Sequence, residues 1–144
     1  MKKTAALLFL VTFTGILHSM AAPKGWGIGA GTFDGDFGAQ ARKDFLFGPE
    51  LQYDIALQAG LYNQHKVTGR FDADFHYIIN PESGFQCYPL AGIDWAVHSK
   101  YNRIGANLGA GATLDLNDET RLFIEAKYVV GDWDGFAFTA GIYF

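Results

Sequence analysis

Apolar and polar side chains alternate along residues 67–79, and this alternation limits the folds that the chain can adopt. One face of the segment carries Val67, Gly69, Phe71, Ala73, Phe75, Tyr77 and Ile79. The opposite face carries Arg70, Asp72, Asp74 and His76. Because successive side chains of a β-strand point to opposite sides, a period of two predicts a strand with one apolar face and one charged face.

The same period recurs along the whole chain after its first residues. It predicts eight strands, at 25–33, 37–43, 49–62, 67–79, 85–98, 104–116, 120–130 and 136–144. Short clusters rich in Gly, Asn, Asp and Pro separate them, which favours antiparallel hairpins between neighbours. We therefore predict an all-β fold, an eight-stranded antiparallel up-and-down transmembrane β-barrel. Alternation alone does not decide which face points inward.

The first residues have the pattern of a secretory signal peptide. Lys2 and Lys3 precede an apolar run over 5–17, and Ser19 and Ala21 fit the small positions before a cleavage site. The apolar run is shorter than the roughly 20 residues that a membrane-spanning helix needs. We predict a leader over 1–21 and a barrel domain over 22–144, with cleavage after Ala21 or, alternatively, after Ala22.

Charge and cysteine content exclude several classes of function. Without Lys2 and Lys3, the 11 basic residues fall to 9 against 15 acidic ones, a net charge of −6. Such a balance is a poor footprint for nucleic acid, so no nucleic-acid partner is expected. Cys87 is the single cysteine of the sequence and cannot form an internal disulfide, which argues against a disulfide-stapled secreted scaffold.

The last nine residues decide the orientation of the sheet together with the leader. Apolar groups occupy every second position of 136–144, and the segment ends on Phe144. This ending resembles the C-terminal assembly signal of outer-membrane β-barrel proteins, and both termini favour lipid outside. A Lys or Arg on a lipid face costs about 2–4 kcal/mol near the bilayer midplane, so Arg70 is expected to face the lumen.

The inward faces combine into a predicted polar network. Its members are Arg42, Glu50, Asp54, Arg70, Asp72, Asp74, His76, Asp94, Asp115, Arg121, Glu125 and Lys127. Short hairpins place Arg70 opposite Asp94, Asp115 opposite Arg121, and Asp54 beside Asp74 or His76. Because eight strands enclose a space just wide enough for side chains, we predict a plugged or narrowly wet lumen.

Two groups of residues raise the question of chemistry in the lumen. The carboxylates Asp54, Asp72 and Asp74 near His76 fit either a cation or proton-sharing site or a structural network balanced by arginine and lysine. His98 and Ser99 are adjacent, so they point to opposite faces and do not form a catalytic pair. No catalytic, cofactor or metal residues are assigned, and the protein is predicted not to be an enzyme.

Several segments resemble the small eight-stranded outer-membrane barrels typified by the OmpA transmembrane domain and OmpX, and porin-family proteins of that kind. They are Tyr88–Ile93, Ile104–Gly111, Leu122–Tyr128 and the terminal strand. The resemblance implies the outer membrane of a Gram-negative-type bacterium, contact with outer-membrane lipids, escort by periplasmic chaperones and insertion by the barrel assembly machinery. It implies no cofactor.

The leading hypothesis is a monomeric outer-membrane barrel that is structural or that passes or binds only very small solutes. The alternatives are an envelope interaction or accessory protein, a secreted soluble barrel that binds lipid, and a lipid-modifying outer-membrane enzyme. The facing assignment also predicts that Ala110→Arg impairs insertion and that Gly109→Ser is tolerated.

Overall fold

The computed structural model describes residues 23–64 and 66–144, which form a barrel of eight β-strands. In chain order they are β1 (Pro23–Phe33), β2 (Asp36–Phe47), β3 (Tyr53–Gln64), β4 (Lys66–Tyr77), β5 (Phe85–His98), β6 (Tyr101–Asp115), β7 (Arg121–Gly131) and β8 (Gly135–Tyr143). A short 3₁₀ turn, Pro49–Leu51, precedes β3. Within these residues, no helix has the length and apolar character needed to cross a membrane. The predicted leader and both candidate cleavage points lie outside the described residues.

Each strand pairs antiparallel with the next, and pairing of β1 with β8 closes the sheet. Gly27 to Phe33 lie opposite Tyr143 to Ala137 at this seam. Closure removes the free edges that an open sheet would present to other chains. The predicted fold class, an all-β eight-stranded antiparallel barrel, is confirmed.

The hairpin between β1 and β2 shows how the sequence specifies a tight turn. Asp34 and Gly35 have φ angles of 50° and 91°, so both residues adopt left-handed backbone conformations. A two-residue loop of this kind matches the twist of the adjoining strands, and Asp-Gly is one of the sequences that favours it. The turn lies where the sequence predicted a separator.

The second hairpin differs from the prediction. Residues 43–48 were expected to form its turn, but β2 continues to Phe47 and β3 begins at Tyr53, with these two residues paired. The turn is displaced to 48–52, where Gly48, Glu50 and Leu51 have positive φ angles. Glu50 consequently lies on an exposed turn and not on a lumen-facing strand position, which corrects its predicted place in the polar network.

The two faces of the sheet carry opposite kinds of side chain. On β7, Phe123, Glu125, Lys127 and Val129 are buried, and the residues between them are exposed or half-buried. The other strands alternate in the same way, so most charged groups of the strands point into the barrel. The exterior is correspondingly apolar, with exposed Ile28, Phe37, Ile55, Leu61, Phe71, Ile93, Trp95, Ile104, Leu108, Ile124, Tyr128, Phe136 and Phe138.

The two ends of the barrel are built differently. We call the end with the β1–β2, β3–β4, β5–β6 and β7–β8 turns the hairpin end, and the end with Pro23 and Phe144 the terminus end. At the hairpin end, Phe33, Tyr62, Val129 and Ala137 form a buried apolar cluster inside the barrel. Trp133 packs on it, with its ring 5.9 Å from that of Phe33 in an edge-on arrangement. We refer to these five residues as the plug.

Close approach of two strands explains why one inward position must be glycine. A Cβ atom at Gly109 would overlap the carbonyl oxygen of Ala126 and the Cα atom of Lys127 on β7. The expectation that Gly109→Ser would be tolerated is therefore wrong, because it considered only the polarity of the face. Gly69, on the outer face of β4, has no atom closer than 3.8 Å to such a Cβ.

We predict that Gly109→Ala and Gly69→Ala have opposite effects on the free energy of unfolding. Gly109→Ala should lower it by about 1–3 kcal/mol, the usual cost of forcing extra atoms into a packed site. Gly69→Ala should leave it unchanged or raise it by about 0.4–1 kcal/mol through reduced entropy of the unfolded chain. Denaturant titration of both variants, followed by tryptophan fluorescence, measures the difference. Equal destabilisation by the two substitutions would contradict the strand spacing described here.

Candidate functional site

The candidate site is the lumen, where inward positions of five strands bring charged side chains together. Six buried or half-buried carboxylates share it with three cations and one histidine. These residues are Arg42 and Asp44 on β2, Asp54 on β3, Arg70, Asp72, Asp74 and His76 on β4, Asp94 on β5, and Glu125 and Lys127 on β7. Ions of this kind are stable away from water only when they are paired and hydrogen-bonded.

Nearest the plug, Arg70 and Asp94 form a two-pronged ion pair. Arg70 Nε and Nη2 donate to the two carboxylate oxygens of Asp94 at 3.1 and 2.6 Å. The guanidinium also lies 3.5 Å from the centre of the Phe33 ring, in a cation–π contact with the plug. Arg70 therefore contacts both Asp94 of the charged lumen and Phe33 of the plug.

In the middle of the lumen, Lys127 joins two neighbouring carboxylates of β4. Its Nζ donates to Asp72 at 2.9 Å and to Asp74 at 2.7 Å. Asn107 Nδ2, on the neighbouring strand β6, donates to the same two carboxylates at 2.9 and 2.7 Å. The lysine offsets part of the repulsion between these two like charges, and the amide donates a hydrogen bond to each of them.

Closer to the terminus end, Gln58 connects this group to a second cluster. Its Nε2 donates to Asp74 at 3.1 Å and to Glu125 at 3.3 Å. Glu125 also accepts from Arg42 Nη1 at 2.9 Å and from the Tyr88 hydroxyl at 3.1 Å. Hydrogen bonds therefore run without a break from the Lys127 group through Gln58 and Glu125 to Arg42.

Arg42 is the centre of the second cluster. Its Nε donates to Asp44 at 3.1 Å, and its guanidinium packs on the rings of Phe123 and Tyr143 at 4.7 and 5.4 Å. The Tyr143 hydroxyl donates to the other oxygen of Asp44 at 2.5 Å. A residue of the last strand is thereby tied to β2 through the middle of the barrel.

The terminus end opens into a vestibule of about 880 Å³. Its inner wall includes Leu46, Ile78, Gln86, Arg121 and Tyr143, and acidic residues of the three connecting loops surround its mouth. Arg121 pairs with Asp115 across β6 and β7 and donates to Gln86 Oε1 at 3.0 Å. The barrel is therefore open at the terminus end and closed by the plug at the hairpin end.

The structure brings together most of the residues that the sequence placed in the network. Asp54 lies opposite His76, one of the two expected arrangements, and Asp115 lies opposite Arg121. The residue directly opposite Asp94 on β4 is Asp72. Arg70 therefore reaches Asp94 diagonally. Asp115 and Arg121 belong to the vestibule, where water screens them more than the buried pairs.

Sequence reasoning missed several members of the site. Asp44 was assigned to a turn, although Arg42, Asp44 and Leu46 continue the alternation of β2. Tyr88 and Tyr143, which donate hydrogen bonds to Glu125 and Asp44, were not among the predicted members of the network. His98, considered for catalysis, lies with Nδ1 2.9 Å from Thr68 Oγ1, and Ser99 is exposed on the following turn.

Comparison with known proteins identifies the fold. No protein-family profile matches the chain, and no curated protein sequence matches it significantly. Among solved structures, the N-terminal β-barrel domain of Pseudomonas aeruginosa OprF aligns over 85% of this chain and 98% of its own, with 16% identity and a TM-score of 0.68. Neisserial surface protein A aligns over 85% and 97%, with 13% identity and a TM-score of 0.63. A de novo designed transmembrane β-barrel aligns over 87% and 98%, with 12% identity and a TM-score of 0.62.

At these levels of identity, the likeness establishes the fold. The chain has the architecture of the small eight-stranded barrels to which OprF and Neisserial surface protein A contribute solved examples.

Disruption of the buried ion pair between Arg70 and Asp94 should lower the free energy of unfolding substantially. Asp94→Ala leaves the Arg70 guanidinium buried without a carboxylate and should lower the free energy of unfolding by about 3–5 kcal/mol. Asp115→Ala removes a partly exposed partner of Arg121 and should cost less than about 1 kcal/mol. Denaturant titration compares the two.

A second replacement distinguishes loss of the ion pair from a general packing defect. The double variant Arg70→Met with Asp94→Ala should recover much of the lost stability, because no unpaired charge remains. Additive effects of the two substitutions would contradict the pairing.

Proposed function

We propose that the protein is an integral outer-membrane β-barrel of a Gram-negative-type bacterium, with a lumen filled by side chains. Its role is structural, or it binds or passes only very small solutes, and it carries out no catalysis. The observation that supports this most strongly is the distribution of charge: ionised groups lie inside a closed sheet and apolar groups outside. In water this arrangement would expose a large apolar surface, whereas in a bilayer it satisfies both faces.

The dimensions of the strands support the same proposal. They contain 9 to 15 residues, and a tilted membrane-spanning strand needs about 9–11. Four outward aromatic side chains, Phe47, Tyr53, Phe75 and Tyr77, pack side by side at the terminus end. Bands of aromatic residues at the level of the lipid headgroups are typical of membrane barrels.

Biogenesis follows from the same proposal. The leader over 1–21 would direct export, periplasmic chaperones would escort the chain, and the barrel assembly machinery would insert it as a monomer surrounded by outer-membrane lipids. Phe144 would act as the assembly signal; its side chain is exposed, and its backbone N–H donates to Trp26 O at 2.9 Å. In this orientation the vestibule faces the periplasm.

Membrane fractionation tests the proposed location. The protein should stay in the membrane pellet after a carbonate wash, require detergent for extraction, and migrate differently on gels before and after boiling. Ala110→Arg places a cation on the outer face of β6 and should cost about 2–4 kcal/mol, reducing the heat-modifiable fraction. Ala110→Leu at the same position should insert normally. Release of the wild-type protein by carbonate would refute the location.

A planar-bilayer recording tests the closed lumen. Buried side chains of the network and the plug occupy the lumen, so the reconstituted protein should show no large, steady conductance. A general porin reconstituted in parallel provides the positive control. Steady open-channel currents from the wild-type protein would rule out a filled lumen.

A further inference from the structure

Three side chains meet in the lumen immediately inside the vestibule, in a group that the ion-pair network does not fully explain. Asp44, Asp54 and His76 each offer one ligand atom, and these atoms all lie within 4.8 Å of one another. Each of the three residues is only 1% exposed. Leu46, Ile78 and Tyr143 line the vestibule.

The distance between His76 and Asp54 is longer than a hydrogen bond but suits two ligands of one ion. His76 Nδ1 lies 3.6 Å from Asp54 Oδ2, and His76 Nε2 lies 3.9 Å from Glu125 Oε2. A zinc ion binds imidazole nitrogen and carboxylate oxygen at about 2.0–2.2 Å, so tetrahedral ligands lie roughly 3.4 Å apart. An ion between His76 and Asp54 therefore needs only small movements of their side chains.

A second observation concerns the other nitrogen of the imidazole, which faces Glu125. His76 Nε2 is buried and has no hydrogen-bond partner among the described residues. Buried polar atoms without partners are uncommon in native proteins and call for an explanation. The ring is nevertheless held in place, since it stacks on Tyr88 with centroids 4.3 Å apart and an angle of 18°.

Charge in this part of the lumen also favours a cation. Asp44, Asp54 and Glu125 provide three carboxylates, and Arg42 forms ion pairs with Asp44 and Glu125. Lys127 is engaged by Asp72 and Asp74 at 2.9 and 2.7 Å and lies 4.0 Å from Glu125. A divalent ion placed among these carboxylates would be attracted by their negative charge.

The carboxylate of Asp44 remains able to bind an ion. Arg42 donates to one of its oxygens and the Tyr143 hydroxyl to the other, and each oxygen keeps a further lone pair. Such outer partners fix the orientation of a ligand and commonly accompany metal-binding carboxylates.

We propose that Asp44, Asp54 and His76 form a binding site for a divalent transition-metal ion, which enters through the vestibule. One nitrogen and two carboxylate oxygens suit Zn²⁺, with solvent or Glu125 completing the coordination. The proposal goes beyond the structural role given above and depends on the folded lumen, not on the membrane in which the barrel lies.

Zinc uptake by the full-length, untagged protein, folded in detergent and treated with chelator, tests the site. The protein is titrated with Zn²⁺ by calorimetry and also refolded with Zn²⁺ before desalting and elemental analysis, so that slow entry does not conceal binding. We expect one Zn²⁺ per chain. Co²⁺ in its place should give the intense visible absorption of a four-coordinate ion.

Matched variants distinguish this site from adventitious binding. Asp54→Asn and His76→Gln each remove a ligand with little change of shape, and affinity should fall by more than the about 10–100-fold caused by losing an outer partner. Asp36→Asn and His98→Gln are the same substitutions at the hairpin end of the barrel, outside the site, and should leave Zn²⁺ binding unchanged. A gel shift on boiling verifies that each variant is folded.

Two results would overturn the proposal. One is folded wild-type protein that takes up no Zn²⁺ either by titration or on refolding. The other is equal uptake by wild type, Asp54→Asn and His76→Gln, which would assign the ion to exposed groups. Failure of the membrane fractionation with normal zinc uptake would leave the site intact and refute only the proposed location.

Discussion

Closure of the sheet is the constraint on which the remaining structure depends. When β1 pairs with β8, backbone N–H and C=O groups find partners within the sheet, and no edge is left open. The strands then have two faces only, one enclosed and one external. Period-two alternation assigns each side chain to one of these faces, so a one-residue slip in register would exchange their contents.

The lumen is narrow, so the polar side chains inside it must hydrogen-bond and pair with one another. Lys127, Gln58, Glu125 and Arg42 join carboxylates and amides into a network that crosses the barrel from wall to wall. The plug closes the hairpin end, whereas the terminus end opens into the vestibule. The same enclosure brings ligand atoms of Asp44, Asp54 and His76 within 4.8 Å of one another, and this cluster motivates the proposed metal site.

The sequence predicted the fold well because alternation, turn residues and strand length all favour the same architecture. Detailed positions required the structure. Asp44 was missed because the charged residues near Lys43 resembled a turn, although Phe45 and Phe47 continue the alternation on the other face. Arg70 reaches Asp94 diagonally because its side chain is long, and spacing alone does not reveal such reach. Phe33 is apolar but points into the barrel, where it belongs to the plug. Polarity alone therefore does not tell whether an apolar side chain closes the lumen or faces outward.

Spin labels on β6 test the central assignment of faces most directly. Nitroxides placed singly at Ala106, Leu108 and Ala110 in a Cys87→Ser background, with the protein in lipid vesicles, report collisions with oxygen and with a water-soluble nickel chelate. If these side chains face hydrocarbon, oxygen will relax all three labels strongly and the chelate weakly. Stronger relaxation by the chelate, or labels immobilised and shielded from both reagents, would contradict an apolar exterior around a charged lumen.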